Sequence, residues 1–234
     1  FARCGGQNSV KHEGACAFMD KILFDQVPDL FASVGDLFVE KKEELCEMDA
    51  RLGDGDLGLT MSKGYAALPD LMRAEAAGAA GDVGKMLMKA GMKMSSLVPS
   101  TMGFLMSTGV MEGGKALKGK TELDGAALAD YLVGFAAGVQ KRGKCEPGQR
   151  TIYDAVLPAA EAAKAAVEKN PAASLNEVID AAVAAAKGGV EATKTMTPVF
   201  GKAAVHAAQC VGVEDQGAVA GYYKMLGLSN YINK

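Results

Sequence analysis

Apolar residues recur at helical spacing along eight stretches of this 234-residue chain, and the polar segments between them are mostly short. Val34, Leu37, Phe38, Leu45 and Met48 define the first stretch, from Leu30, and Met61, Gly64, Tyr65, Leu68, Leu71 and Met72 define the second. After an Ala/Gly linker at 76–81, Asp82 reads as the N-cap of a third helix through Val83, Leu87, Ala90 and Met94. Pro99 breaks that pattern, and a fourth helix starts at 100–103 and runs toward Gly113 and Gly114. Thr121, Glu122, Leu123 and Asp124 read as a capping box for a fifth, with Leu128, Leu132, Phe135 and Val139 on one face. Thr151 to Asp154 resembles another box, opening an Ala-rich sixth helix that Pro158 is expected to kink and Asn170-Pro171 to end. Ser174 and Glu177 cap the seventh, which runs to about Thr195. The segment 198–216 is irregular, and Gly217 to Leu228 forms the last helix.

No stretch reads convincingly as a strand. Short connections oblige neighbouring helices to run antiparallel, so the expected fold is all-α, an eight-helix antiparallel up-and-down bundle or barrel. Composition marks no internal boundary, and residues 1–25 lack periodicity. The expected organisation is an N-terminal arm at 1–25 and one domain at 26–234. Parity then carries a functional consequence. The loops after the first, third, fifth and seventh helices (49–58, 97–103, 141–151 and 196–216) belong at one rim of the bundle. Helix N-termini at Ser100–Gly103 and Thr151 would offer free backbone N–H groups to phosphates there.

The first of those loops is the most unusual. Met48-Asp49-Ala50-Arg51-Leu52-Gly53-Asp54-Gly55-Asp56-Leu57-Gly58 sets three carboxylates among three glycines, with Arg51 the one nearby cation. Carboxylates so crowded repel one another unless solvent separates them or a cation sits between them. Oxygen-only ligands suit a hard ion such as Mg2+. The stretch therefore reads two ways, as a polar Asp-Gly turn between two helices or as a metal-phosphate site.

Other motifs fail on inspection. Gly109 to Ala116 nearly fits G-x-x-x-x-G-K-[ST], but Ala116 lacks the hydroxyl and a helix precedes it. An EF-hand counted from Asp54 meets Gly58 at position five and Tyr65 at position twelve. A net charge of −3 with no basic run beyond a pair argues against a nucleic-acid partner. The most apolar stretch, Met92 to Met111, contains Lys93 and Pro99 and is no membrane span. The scattered cysteines Cys4, Cys16, Cys46, Cys145 and Cys210 favour free thiols in a reducing compartment over disulfides or a zinc site. No signal peptide is readable, and the expected location is cytoplasmic. Because the chain begins at Phe1, a few residues are expected to be missing or altered at the start. His12 and His206, the only histidines, lack partners at metal-ligand spacing and read as ordinary surface or loop residues.

Over roughly residues 30 to 228 the chain resembles the DhaL family, the nucleotide-binding subunit or domain of dihydroxyacetone kinases. The family pattern L-D-A-x-I-G-D-x-D-H-G-x-N-M is matched by Met48 to Met61. R-G-K-A-x-P-G-D-K-T-M is matched by Arg142-Gly143-Lys144-Cys145-Glu146-Pro147-Gly148-Gln149-Arg150-Thr151-Ile152, and D-P-G-A by Asp215-Gln216-Gly217-Ala218. The resemblance implies an eight-helix antiparallel barrel with a nucleotide site at one rim. It implies that Asp49, Asp54 and Asp56 hold Mg2+, two ions in all, bridging to the phosphates of ADP or ATP. It further implies nucleotide contacts from Leu57, Gly58, Leu59, Thr60, Ser100, Thr101, Met102, Gly143, Ile152, Lys202, Glu214, Asp215 and Gln216, with no catalytic residue beyond the metal ligands.

On the same resemblance a DhaK-like subunit presents a short-chain ketose through its own histidine. The donor is either ATP or a phosphotransferase-system phosphodonor protein that rephosphorylates bound ADP. Departures from the pattern are Leu57 for His, Thr60 for Asn, Met102 for the serine of G-G-A-S-G, Gln149 for Asp, and Lys202 and Gln209 for two arginines. They fit a variant kinase site, with two rivals. One is a non-catalytic adaptor that retains the metal-nucleotide pocket. The other is a kinase for a different presented substrate, such as a carrier-bound fatty acid.

Overall fold

The computed structural model describes residues 20–205 and 207–234, apart from the side chain of Lys202. His12, His206, Cys4, Cys16 and most of the expected arm lie outside the described residues.

The first periodic stretch folds as two helices, α1 (Val27–Glu40) and the short α2 (Lys42–Ala50), with a turn at Lys41. Then follow α3 (Leu57–Ala79), α4 (Val83–Leu97), α5 (Thr101–Ala116), α6 (Gly125–Gly143), α7 (Tyr153–Lys169) and α8 (Leu175–Ala192). The irregular segment contains α9 (Gly201–Val205), and α10 (Gln216–Ile232) ends the chain. The eight long helices close into a ring. In order, α1, α3, α4, α5, α6, α7, α8 and α10 each pack on the next, and α10 packs back on α1. The architecture is the all-α antiparallel barrel expected, with α2 and α9 as additions.

Local chemistry sets most helix starts. Asp82, Ser100, Asp124, Ser174 and Asp215 each cap a helix, the side-chain oxygen accepting from a first-turn N–H. Ser174 and Glu177 form the full reciprocal box. The box read at Thr121–Asp124 is not formed. Asp124 is itself the cap, and Glu122–Leu123 is strand β2, paired antiparallel with β1 (Ile22–Leu23). A two-residue ladder is too short to show an alternating pattern, so the sequence carried no signal for it.

The barrel interior is one continuous apolar cluster contributed by every helix of the ring, with Phe31, Phe38, Tyr65 and Phe135 among its largest members. A cation sits inside it. The Lys224 ammonium, on α10, is fully buried, lies 4.0 Å from the Phe135 ring centroid and 4.8 Å from that of Tyr131, and has no hydrogen-bond partner among the described residues. The ring faces offset part of the lost hydration. Burial still pushes the amine down to about 7 from the ordinary 10.5.

Below pH 7 the folded and unfolded chains both carry the charge, and the folded state bears the full burial cost. Between pH 7 and 10.5 the unfolded chain binds more protons, so stability rises with pH. Lys224→Met is therefore expected to stabilise the fold at pH 7 by about 1–4 kcal/mol. It should also flatten the rise between pH 7 and 9.5 in urea unfolding. A variant that keeps the wild-type slope would contradict this reading of Lys224.

Candidate functional site

Alternate helices of the ring, α3, α5, α7 and α10, bring their first turns to one cleft of about 420 Å3. Asp49, Leu52, Gly53, Asp54, Asp56 and Leu57 line it from the acidic loop, Ser100, Thr101, Met102 and Leu105 from α5 and its cap. Arg150, Thr151 and Ile152 line it from the loop before α7, Phe200, Gly201 and Ala203 from the irregular segment, and Asp215, Gln216 and Gly217 from the start of α10. The four loops assigned to one rim by parity do meet.

Asp49 is buried at the end of α2, and its carboxylate organises the loop after it. Oδ2 accepts from the backbone N–H of Gly55 at 2.9 Å and of Asp56 at 3.1 Å, and Oδ1 accepts from Gln216 Nε2 at 3.3 Å. These bonds curl the loop so that Asp54 and Asp56, both exposed, bring carboxylate oxygens within 4.8 Å of one another and of Asp49. The curl depends on missing side chains. A Cβ on Gly53 would lie 2.3 Å from Asp49 Oδ1, and one on Gly58 would lie 1.9 Å from the Lys42 carbonyl oxygen. Gly58 thereby lets the first turn of α3 seat against α2. The donor set is all oxygen, clustered and open on one side, which fits a hard divalent cation.

Across the cleft, Ser100 caps α5 by accepting from Gly103 N at 3.1 Å and shares a 3.3 Å hydroxyl contact with Thr60. Asp154 binds the preceding loop back onto α7, accepting from Gly148 N at 2.6 Å and Thr151 N at 2.8 Å. Arg150 is buried. Its Nη1 lies 3.4 Å from Asp215 Oδ1, and Nη2 donates to the carbonyls of Val213 at 3.0 Å and Glu214 at 3.3 Å. Burial pushes the Asp215 carboxyl up to about 6, against the N–H of Ala218 and the Arg150 charge, which both favour its ionised form.

A family model described as the DAK2 domain matches residues 51–230. The chain belongs to the DAK2-domain family. It is 29% identical over 200 residues to the ADP-binding subunit DhaL of PEP-dependent dihydroxyacetone kinase from Escherichia coli, covering 86% of this chain and 93% of that protein. It is 28% identical over 207 residues to the corresponding subunit of kinase 2 from Listeria innocua, covering 88% and 93%. It is also 31% identical over 179 residues to human triokinase/FMN cyclase, of which it spans only 30%. Among solved structures it resembles the dihydroxyacetone kinase of C. freundii in complex with AMP-PNP and Mg2+, with a TM-score of 0.63 and 20% identity. That match covers 99% of this chain and 38% of the solved one, and it shows the shared all-α fold.

Within this DAK2 domain, ten residues expected at the site from sequence line the cleft: Asp49, Asp54, Asp56, Leu57, Ser100, Thr101, Met102, Ile152, Asp215 and Gln216. Gly58, Leu59, Thr60, Gly143 and Glu214 stand outside the lining. Gly58 faces α2, Leu59 is exposed, Thr60 reaches Ser100, Gly143 lies by Leu105 and Cys145, and Glu214 pairs with Lys194 at 3.3 Å. The side chain of Lys202 lies outside the described residues. Nine further residues line the cleft that were not expected as site residues, and Arg150 is the charged one among them. Its signal was a cation directly before the helix-opening Thr151, within a Gly/Pro loop.

Two substitutions separate close approach from mere glycine content. Gly58→Ala drives a methyl into the Lys42 carbonyl and is expected to destabilise the DAK2 domain by roughly 1–3 kcal/mol. Gly188→Ala, in α8 with open space around it, is expected to stabilise by about 0.5–1 kcal/mol. Urea unfolding of the two variants should move in opposite directions.

Proposed function

We propose that this chain is the Mg-nucleotide-binding component of a dihydroxyacetone-type kinase. In this reading it holds ADP or ATP at the rim of the barrel. The phosphoryl group goes to a hydroxyl of a short-chain ketose presented by a DhaK-like partner, and the chain forms one nucleotide-binding domain over 26–234. The observation that carries it is the convergence of a three-carboxylate cluster with four helix N-termini in one cleft, in a chain about 29% identical to named ADP-binding subunits along most of its length.

Asp49, Asp54 and Asp56 would hold Mg2+, two ions being the expected number, and Mg2+ supplies neutralisation of charge on the transferring phosphoryl group. Asp49 is fixed by backbone amides and keeps its orientation without reorganising. Gly103 N is taken by the Ser100 cap, which leaves the Thr101 and Met102 amides without intrahelical partners at the positive end of α5, where phosphate oxygens are well received. Met102, Leu105, Ile152 and Phe200 supply the apolar wall against which a purine ring can lie. Phosphoryl transfer needs mainly positioning and charge neutralisation, so this chain contributes no acid or base of its own.

Calorimetric titration with ADP and ATP, with and without Mg2+, tests the reading directly. Mg-dependent binding is expected, with persistently retained ADP pointing to a phosphotransferase-protein donor. Asp54→Asn should abolish Mg-dependent binding and phosphoryl transfer while leaving helix content unchanged. Unaltered transfer by that variant would remove Asp54 from the site. No binding at millimolar nucleotide would overturn the kinase reading, whereas Mg-dependent binding without transfer to any presented substrate would favour the adaptor.

A further inference from the structure

Between the end of α8 and the start of α10 the chain makes an excursion that carries Phe200, Gly201 and Ala203 over the cleft. Its two ends are fastened to each other at the base. Asp215 N donates to Thr193 Oγ1 at 2.9 Å, Gly212 N donates to the Lys194 carbonyl at 2.9 Å, and Lys194 Nζ lies 3.3 Å from Glu214 Oε1. Among the described residues of its body, Ala203 and Cys210 join Leu52 of the acidic loop in a small apolar cluster. The contacts of the described residues thus hold the excursion at its base and, over the acidic loop, at Leu52.

Arg150 grips that base. Its guanidinium meets the carbonyls of Val213 and Glu214 and the carboxylate of Asp215, three consecutive residues at the exit of the excursion. Its side chain is shielded from solvent, and its backbone is held in the left-handed region at φ 57°, which a non-glycine residue keeps only where its surroundings fix it. Thr151 and Ile152 follow at once and line the cleft. One side chain therefore couples the loop before α7, the base of the excursion before α10 and the segment over the cleft.

We propose that Arg150 is a positioning residue of the nucleotide cleft, whose forked guanidinium sets the hinge of the 195–215 excursion and thereby how fast bound nucleotide leaves. The inference rests on the nucleotide reading above. The fork matters as much as the charge. Two Nη atoms serve a carboxylate and two carbonyls from separate positions, whereas a lysine presents one nitrogen on a flexible stem. Because those Nη atoms are committed to the hinge, Arg150 acts through the hinge.

The test compares wild type with Arg150→Lys in three measurements: dissociation of a fluorescent N-methylanthraniloyl-ADP with Mg2+ by stopped flow, Mn2+ affinity without nucleotide by electron paramagnetic resonance, and the thermal midpoint. The expected result is a dissociation rate raised about tenfold or more, with association rate and Mn2+ affinity within about twofold of wild type. A folded Arg150→Lys that releases nucleotide at the wild-type rate overturns the inference and leaves the nucleotide reading intact. A parallel loss of Mn2+ affinity also overturns it, since that marks general loosening of the site. If the lysine variant fails to fold, Arg150→Gln, which leaves the Asp215 cap of α10 unchanged, is read in the same way. A wild type that binds no Mg-nucleotide overturns the underlying reading and this inference together.

Discussion

Short connections between long helices force the chain to alternate direction, and closure of the ring turns that alternation into a site. Because α3, α5, α7 and α10 occupy alternate places in the ring, their N-terminal ends fall at the same rim. Each such end carries unsatisfied N–H groups and a partial positive charge on the order of +0.5. Asp49, Asp54, Asp56 and Asp215 gather at that rim with Arg150 as the cation beside them. Four helix ends together offset on the order of two of the four negative charges, and Arg150 offsets one more. The roughly one negative charge that remains is what a bound cation would neutralise. Without the alternation, the same residues would be divided between two ends of the barrel.

Rigidity is distributed to match. The barrel interior is apolar and closely packed, with the helix ends anchored by side-chain caps. The acidic loop is held by the carboxylate of its own first member, Asp49, so its shape does not wait for a ligand. The excursion over the cleft is different. It exposes Val199, Phe200, Val205 and Val211, and among its described residues Ala203 and Cys210 rest on Leu52 of the acidic loop. A preformed floor beneath a cover is the arrangement a nucleotide site needs if it must both exclude water and release product.

Much of this was legible from residue order. Helical periodicity with short loops fixes antiparallel neighbours, and antiparallel neighbours fix which loops share a rim; neither step requires a distance. Asp82, Ser174 and the acidic loop announce themselves because capping and carboxylate crowding are local chemistry. The break at Lys41 escaped because Leu37, Phe38 and Leu45 keep helical spacing across it, so periodicity alone runs α1 into α2. The ladder Ile22–Leu23 with Glu122–Leu123 escaped because two residues have no period, and its consequence was the misread cap at Thr121. Arg150 escaped because its importance lies in partners 63 to 65 positions away, at Val213, Glu214 and Asp215. Long-range polar contacts leave no local pattern.

The departures from the family motif fall unevenly across the site. Met102 stands where the motif has serine, and Leu57 where it has histidine, so two side chains that could have reached a phosphate are apolar here. A helix N-terminus binds through its backbone, however, and a backbone N–H is the same donor whichever side chain follows it. Ser100 still caps α5 through Gly103 N, which keeps the first turn of that helix formed beneath Met102. The three carboxylates are likewise unchanged, and Gln216, where the motif has proline, adds a side-chain amide against Asp49. What the changes at Leu57 and Met102 remove can be supplied by backbone amides, while the three carboxylates, which no backbone group replaces, are retained. That asymmetry is the pattern expected of a site retuned in its side-chain contacts.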